Sequence, residues 1–276
     1  AFSYEEEGET PVVGRADFTG ASLSRITMPS FDLGDMKNVT FGLTEIGGYR
    51  QVSLRATKFL VNDPIASAFG NPGSSDRLFS ESINAILGDN FSIEAQIDTL
   101  DGSHEERLDG FRLIINATDG RYERMQLQGT FADGSELFGD LARTSPNLRS
   151  YSLQAENGSN LIRLLGFLPD LEGGAFLLQG SFFDDGVSAG GDPQDINGWF
   201  EMQAFRARKV PVLARLLSLG SLTGIADTLS GDGIAFDVAK FKFTVHDGRL
   251  RVKSGRFNGP ALGLTTQGAF NAGTRE

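Results

Sequence analysis

Apolar and polar residues alternate one for one along most of this chain. Phe91, Ile93, Ala95 and Ile97 are interleaved with Ser92, Glu94, Gln96 and Asp98. Successive side chains of a strand point to opposite faces, so such a segment has one oily face and one wet one. The pattern recurs at Phe111, Leu113 and Ile115, at Met125, Leu127, Gly129 and Phe131, and at Tyr151, Leu153 and Ala155. It continues at Phe176, Leu178, Gly180 and Phe182, at Phe200, Met202 and Ala204, and at Phe241, Phe243 and Val245, then at Leu250 and Val252 and at Leu262 and Leu264. Asp119-Gly120, Asp133-Gly134, Asn157-Gly158 and Asp247-Gly248 lie between runs. Tight turns of this kind join antiparallel neighbours. Residues 107 to 157 read as a meander of about four or five strands, continued by 174 to 207 and 234 to 270. Residues 12 to 62 are less regular, but Val39, Phe41 and Leu43, with Val52, Leu54 and Ala56, suggest the same architecture.

Three segments break the β pattern. Ser159 precedes Leu161, Leu164, Leu165 and Leu168 at helical spacing, and Pro169 blocks continuation, which predicts a short capped amphipathic helix over 159–168. Residues 211–229 open with Pro211 and carry two stripes, Leu213, Leu216 and Leu217, then Leu222, Ile225, Ala226 and Leu229. At about 100° per residue the two stripes would face opposite ways, so the helix is expected to break between Gly220 and Gly224. A third, weaker helix is expected from Ser80 to Leu87. Asn71 to Asp76 and Asp184 to Asp195 read as loops.

Charge and composition exclude several functions. With 25 Lys+Arg against 36 Asp+Glu the net charge is −11, and no long basic run offers a grip on a nucleic-acid backbone. There is no cysteine, so thiolate metal sites and Cys nucleophiles are out. No cofactor is expected. The two histidines, His104 and His246, read as turn or loop residues, too far apart to suggest a zinc site. Gly186-Val-Ser-Ala-Gly190 matches G-x-S-x-G, but no helix pattern follows it, so Ser188 reads as a loop residue. Asp184, Asp185, Asp192 and Asp195 do not match the EF-hand spacing. No phosphate-cradling glycine loop is present. No uninterrupted apolar run reaches the length of a membrane span, and AFSYEEEGET is no secretory signal.

The oily face is the remaining anomaly. The chain holds 22 Phe and 35 Gly, and that apolar load needs a dry place. Two sheets closed on each other would provide it. A sheet curled into a trough that takes apolar ligands would also provide it. Gly129, Gly180 and Gly198 fall in or beside strands, where glycine permits bulges and curvature, and this favours the trough.

Three strings carry a resemblance: Lys209 through Phe236, Phe241 through Gly268, and Asn160 through Phe176. Together, over about 159 to 268, they resemble the C-terminal region of AsmA-like proteins, a family of bridge-like lipid-transfer proteins. The resemblance implies an elongated, taco-shaped antiparallel β-sheet with a hydrophobic groove that carries phospholipid between the inner and outer membranes of Gram-negative bacteria. Residues 1–89 would be an irregular N-terminal part of the same sheet, and 90–276 the groove region with its helical segments 159–168 and 211–229 near the groove's end. The family's inner-membrane anchor is lacking here, so the chain would be a periplasmic portion of a longer protein, with an outer-membrane or periplasmic partner.

On that reading no catalytic residue is needed. Moving acyl chains through water is opposed by about 0.8 kcal/mol per CH₂, and a continuous apolar trough removes most of that barrier. The lining is expected from Phe91, Ile93, Ile97, Leu113, Ile115, Met125, Leu127, Phe131, Phe176, Leu178, Phe182, Phe200, Met202, Phe241, Phe243, Val245, Leu250 and Val252. A charge at Phe91, Leu127, Phe176 or Phe243 should interrupt it. Two alternatives stand beside this one: a closed β-sandwich scaffold or adhesin-like module, and a carbohydrate-active enzyme whose aromatic platform would be Trp199, the one tryptophan.

Overall fold

The computed structural model describes residues 2–4, 12–20, 22–61, 87–184, 194–208, 233–246 and 249–271. The strands of the N-terminal half are β1 (Phe2–Tyr4), β2 (Val12–Thr19), β3 (Ser22–Leu33), β4 (Met36–Ile46), β5 (Tyr49–Leu60), β6 (Phe91–Asp101) and β7 (Arg107–Thr118). Next come β8 (Arg121–Phe131), β9 (Glu136–Ser145) and β10 (Leu148–Ala155), then one helix, α1 (Gly158–Leu164). The remaining strands are β11 (Leu171–Phe183), β12 (Gln194–Ala207), β13 (Ile234–His246), β14 (Arg249–Asn258) and β15 (Gly263–Asn271).

All fifteen strands form a single sheet in sequence order, with the three-residue β1 attached to β2 at one edge and β15 at the other. The sheet is open and curved. Thirteen of its fourteen neighbouring pairs are antiparallel. The exception is β5 with β6, which run parallel from Arg50 opposite Phe91 to Leu60 opposite Asp101. A parallel neighbour cannot follow through a tight turn, so the chain between them must travel back along the whole strand length. Leu87, just before β6, is buried on the apolar face against Leu43, Phe91 and Ile115.

Bulges explain why period 2 is imperfect in the sequence. In β7 the register shifts between Asp109 and Arg112 around Gly110, whose φ is +61°. One extra residue exchanges the two faces. Leu108 and Leu100 therefore share the buried face with Ile97. In β3 the register shifts twice, between Met28 and Phe31 and again before Leu33, which is why this region looked irregular. At Ala204 (φ +53°) the alternation also slips: Ala204 is exposed and Phe205 takes the buried place, correcting the expectation that Ala204 sits on the oily face.

The helix is shorter than the leucine spacing predicts. α1 ends at Leu164 because Gly166 adopts φ +81°. The Gly166 N–H donates to the Arg163 carbonyl at 2.8 Å and the Phe167 N–H to the Ile162 carbonyl at 3.0 Å, a Schellman closure. The stop is thus Gly166 rather than Pro169, and Leu168 lies outside the helix, exposed. Ser159 is not the cap either. Asn157 occupies that position without a side-chain capping bond, and buried Ser159 donates to Asn157 Oδ1 at 2.8 Å. The expected segments 211–229, with Leu213, Leu216, Leu217, Leu222, Ile225 and Leu229, and 80–87 except for Leu87, lie outside the described residues.

Candidate functional site: the apolar face

Cross-strand partners point to the same side of a sheet, so the register traces each face from strand to strand. One row runs Ala16, Ile26, Leu43, Val52, Ile93, Ile115, Met125, Leu141, Tyr151, Gly180, Gly198, Phe243, Val252, Gly268. It crosses fourteen strands without meeting a charge. At about 4.8 Å per strand this row is roughly 60 Å long. All eighteen residues expected to line a groove fall on this face.

They do not share one environment. Phe91, Ile97, Ile115, Phe131 and Met202 are fully buried in three apolar clusters. Ile93, Leu113, Met125, Leu127, Phe176, Leu178, Phe182, Phe200, Phe241, Phe243, Val245, Leu250 and Val252 are half-buried. Among the described residues, α1 is laid over this face at one end, and the helical residue Leu87 covers Leu43, Phe91 and Ile115. In α1, Leu161 and Leu164 are buried in the cluster that includes Ile97, Phe131 and Ala155, while Leu165 packs against that cluster and Ile162 against the neighbouring one around Met202. Arg208 and Gly233, the described residues flanking 209–232, belong to the same end of the sheet, where the Arg208 N–H donates to the Asp170 carbonyl at 2.9 Å.

Among the described residues, the opposite end of β9 to β14 has no such cover. There Leu141, Tyr151, Phe182, Phe243, Val245, Leu250 and Val252 form a half-buried apolar floor. Alongside it runs a ladder of phenylalanines from Phe176 to Phe200, Phe241 and Phe257, with ring centroids 5.0 to 5.2 Å apart, continuing through Phe236 to Phe205.

Glycine has a different part here from the one its composition suggests. Gly129, Gly180 and Gly198 have ordinary φ values and serve as seats for a neighbour's bulk. Gly180 lies opposite Tyr151, Gly198 opposite Phe243, Gly255 opposite Phe241 and Gly139 opposite Leu127. A Cβ on Gly198 would meet the Phe243 ring at 2.5 Å and the Tyr151 hydroxyl at 2.6 Å. The large side chains therefore lie over the bare backbone, where in a sandwich they would stand up to meet a second layer. Burial pushes the Tyr151 hydroxyl up to about 12, so it stays neutral on the floor.

Charges on this face are confined to the ends of the strands, and they are paired. Arg50 Nε lies 3.1 Å from Glu45. Arg149, wholly buried, donates to the Tyr122 carbonyl and reaches Asp184 at 3.3 Å, while Asp184 also accepts from the Tyr122 N–H at 3.0 Å. Asp184 is thus a partner of Arg149, not a loop carboxylate free for calcium. Among the described residues no three His, Asp or Glu side chains gather closely enough to hold a metal.

A second polar network fastens α1 to the sheet. Arg163 donates to Glu106 at 2.6 Å, to Asn160 Oδ1 at 2.6 Å and to the Leu171 carbonyl at 2.8 Å. Asn160 in turn donates to Asp133 at 2.9 Å. Burial alone would raise the Asp133 pKa, but hydrogen bonds from Ser135, Asn157 and Asn160 outweigh it and hold the carboxyl well below the usual carboxylate range. Sequence reading missed Glu106, Asp133 and Arg163, because a lock of this kind is assembled from two turns and a helix far apart in the chain and leaves no spacing motif.

No family model, curated protein or solved structure matches this chain.

Trp199 is on the other, polar face, opposite Gln179 and Lys242. The nearest carboxylate along β12 on that face, Glu201, accepts from Lys240 at 2.9 Å and also from Gln203, and the Lys240 bond holds its pKa down. A glycosidase acid needs the opposite shift. His104, at φ +53°, is an exposed turn residue. Ser188, Asp185 and Asp192 lie outside the described residues, and so do the side chains of Asp195 and His246.

Proposed function

We propose that this chain is a section of a phospholipid conduit: its apolar face receives acyl chains, and lipid moves across the strands along the long axis of the sheet. The observation that carries the reading is the uncharged row across fourteen strands, with a half-buried floor at Tyr151, Phe243 and Val252. Each acyl CH₂ that leaves water for this surface gains about 0.8 kcal/mol. No covalent step is involved, so no catalytic group or cofactor is required. The charged pairs at the strand ends suit the headgroup side, where water meets the trough.

The resemblance to AsmA-like proteins extends the proposal. The chain would be the periplasmic part of a protein anchored in the inner membrane, delivering phospholipid towards the outer membrane and a partner there. A single sheet without a second layer among the described residues weighs against the closed-sandwich alternative.

Transfer of a fluorescent phospholipid between two vesicle populations tests the function. The chain should accelerate transfer, and Leu127→Asp or Phe243→Asp should abolish the acceleration while far-UV circular dichroism stays unchanged. Transfer at the original rate by a folded Phe243→Asp chain would overturn the assignment of that floor.

A further inference from the structure

The polar face of the last four strands holds a feature that the conduit does not use. A concavity of about 680 Å³ lies over β12 to β15, lined by Trp199, Lys240, Lys242, Lys253, Arg256 and Gln267 among others. The register accounts for its charge. Trp199 stands opposite Lys242, and Lys242 opposite Ser254; Glu201 stands opposite Lys240, Lys240 opposite Arg256, and Arg256 opposite Thr265. Lys253 is the unpaired extra residue of a β14 bulge, between Val252 opposite Phe243 and Ser254 opposite Lys242. The insertion adds a cation to the rim of a concavity that already holds three.

In a chain of net charge −11 four clustered cations stand out against the overall charge. Lys240 and Arg256 are directly opposed like charges, an arrangement that destabilises a sheet. Glu201 offsets Lys240 alone. Lys242, Lys253 and Arg256 have no carboxylate in ion-pair range among the described residues. The bound state of an anion would relieve that repulsion.

We propose that this concavity binds a phosphate ester, with the phosphate held by Lys242, Lys253 and Arg256 and the attached glycerol or sugar carbons resting on Trp199. Ammonium groups act as point charges towards phosphate, while guanidinium adds a fork that fits two of its oxygens. From β12 to β15 the site spans three strand spacings, roughly 14 Å, the scale of one phosphorylated headgroup rather than of an extended polymer. The site is on the face opposite the apolar row, so it stands or falls independently of lipid transfer.

Trp199 is the chain's one tryptophan, so its emission reports the site without a label. The chain is titrated with glycerol 3-phosphate and, separately, with phosphatidylcholine vesicles containing or lacking phosphatidylglycerol. A saturable change with glycerol 3-phosphate identifies a soluble ester as sufficient. A change only with phosphatidylglycerol vesicles identifies a membrane headgroup as the source. In either case Lys242→Gln with Arg256→Gln should weaken the response roughly tenfold or more, because two charge-assisted contacts are lost, while the thermal midpoint is not lowered, since like-charge repulsion is relieved, and vesicle-to-vesicle lipid transfer stays as in the parent chain. No saturable change with either ligand, or an equal response from the folded double variant, would overturn the proposal.

Discussion

At the residue scale, the glycine seats determine how the large side chains lie. Gly198 faces Phe243 and touches Tyr151, and a methyl group there would force one ring to move. Gly198→Ala is expected to destabilise the chain by about 1–3 kcal/mol, the usual cost of overpacking, read as a lowered midpoint in urea. Gly268, which has open space around its Cβ direction, is the control: Gly268→Ala should leave the midpoint within about 0.5 kcal/mol. Position on the face also decides which charge insertion is informative. Phe91 is fully buried, edge-on to Tyr122. Phe91→Asp should therefore unfold the chain and report nothing about the trough, whereas Leu127, Phe176 and Phe243 are half-buried and do report on it.

At the scale of elements, α1 is fixed by a polar lock at Asp133, Asn160, Arg163 and Glu106, as well as by Leu161 and Leu164. Asp133 has a folded pKa below its unfolded value of 3.8. Its contribution is thus fully present above about pH 4 and is lost as pH falls further, through the folded value. Hydrogen exchange of the α1 amides should accelerate selectively between pH 4 and pH 2, relative to the amides of β7, and Asp133→Asn should remove that selectivity. Arg163→Ala should expose Leu161 and Leu164 to faster exchange at neutral pH without unfolding the sheet.

The elements were legible where alternation is unbroken, as over 91–97, 125–131, 176–182 and 241–245. They were least legible where a bulge exchanges the faces, as in β3 and around Ala204, because parity is then the wrong guide. The parallel step from β5 to β6 was invisible for another reason. Alternation within a strand says which side chains share a face, but it carries no signal about the direction of the neighbouring strand. The residues that share the apolar face were readable as a set. Their division into buried and half-buried members was not, since that depends on where α1 sits.

At the scale of the molecule, a single sheet carries an apolar face, proposed to take acyl chains, and a polar face, proposed to bind a phosphate ester. The apolar face runs unbroken from β2 to β15, through the parallel junction. Native mass spectrometry of the purified chain after incubation with phosphatidylethanolamine vesicles tests this account most directly. Species heavier by one or more phospholipid masses are expected, which disappear on organic extraction and are absent for a folded Phe243→Asp chain. A wild-type spectrum showing only the bare polypeptide would contradict it.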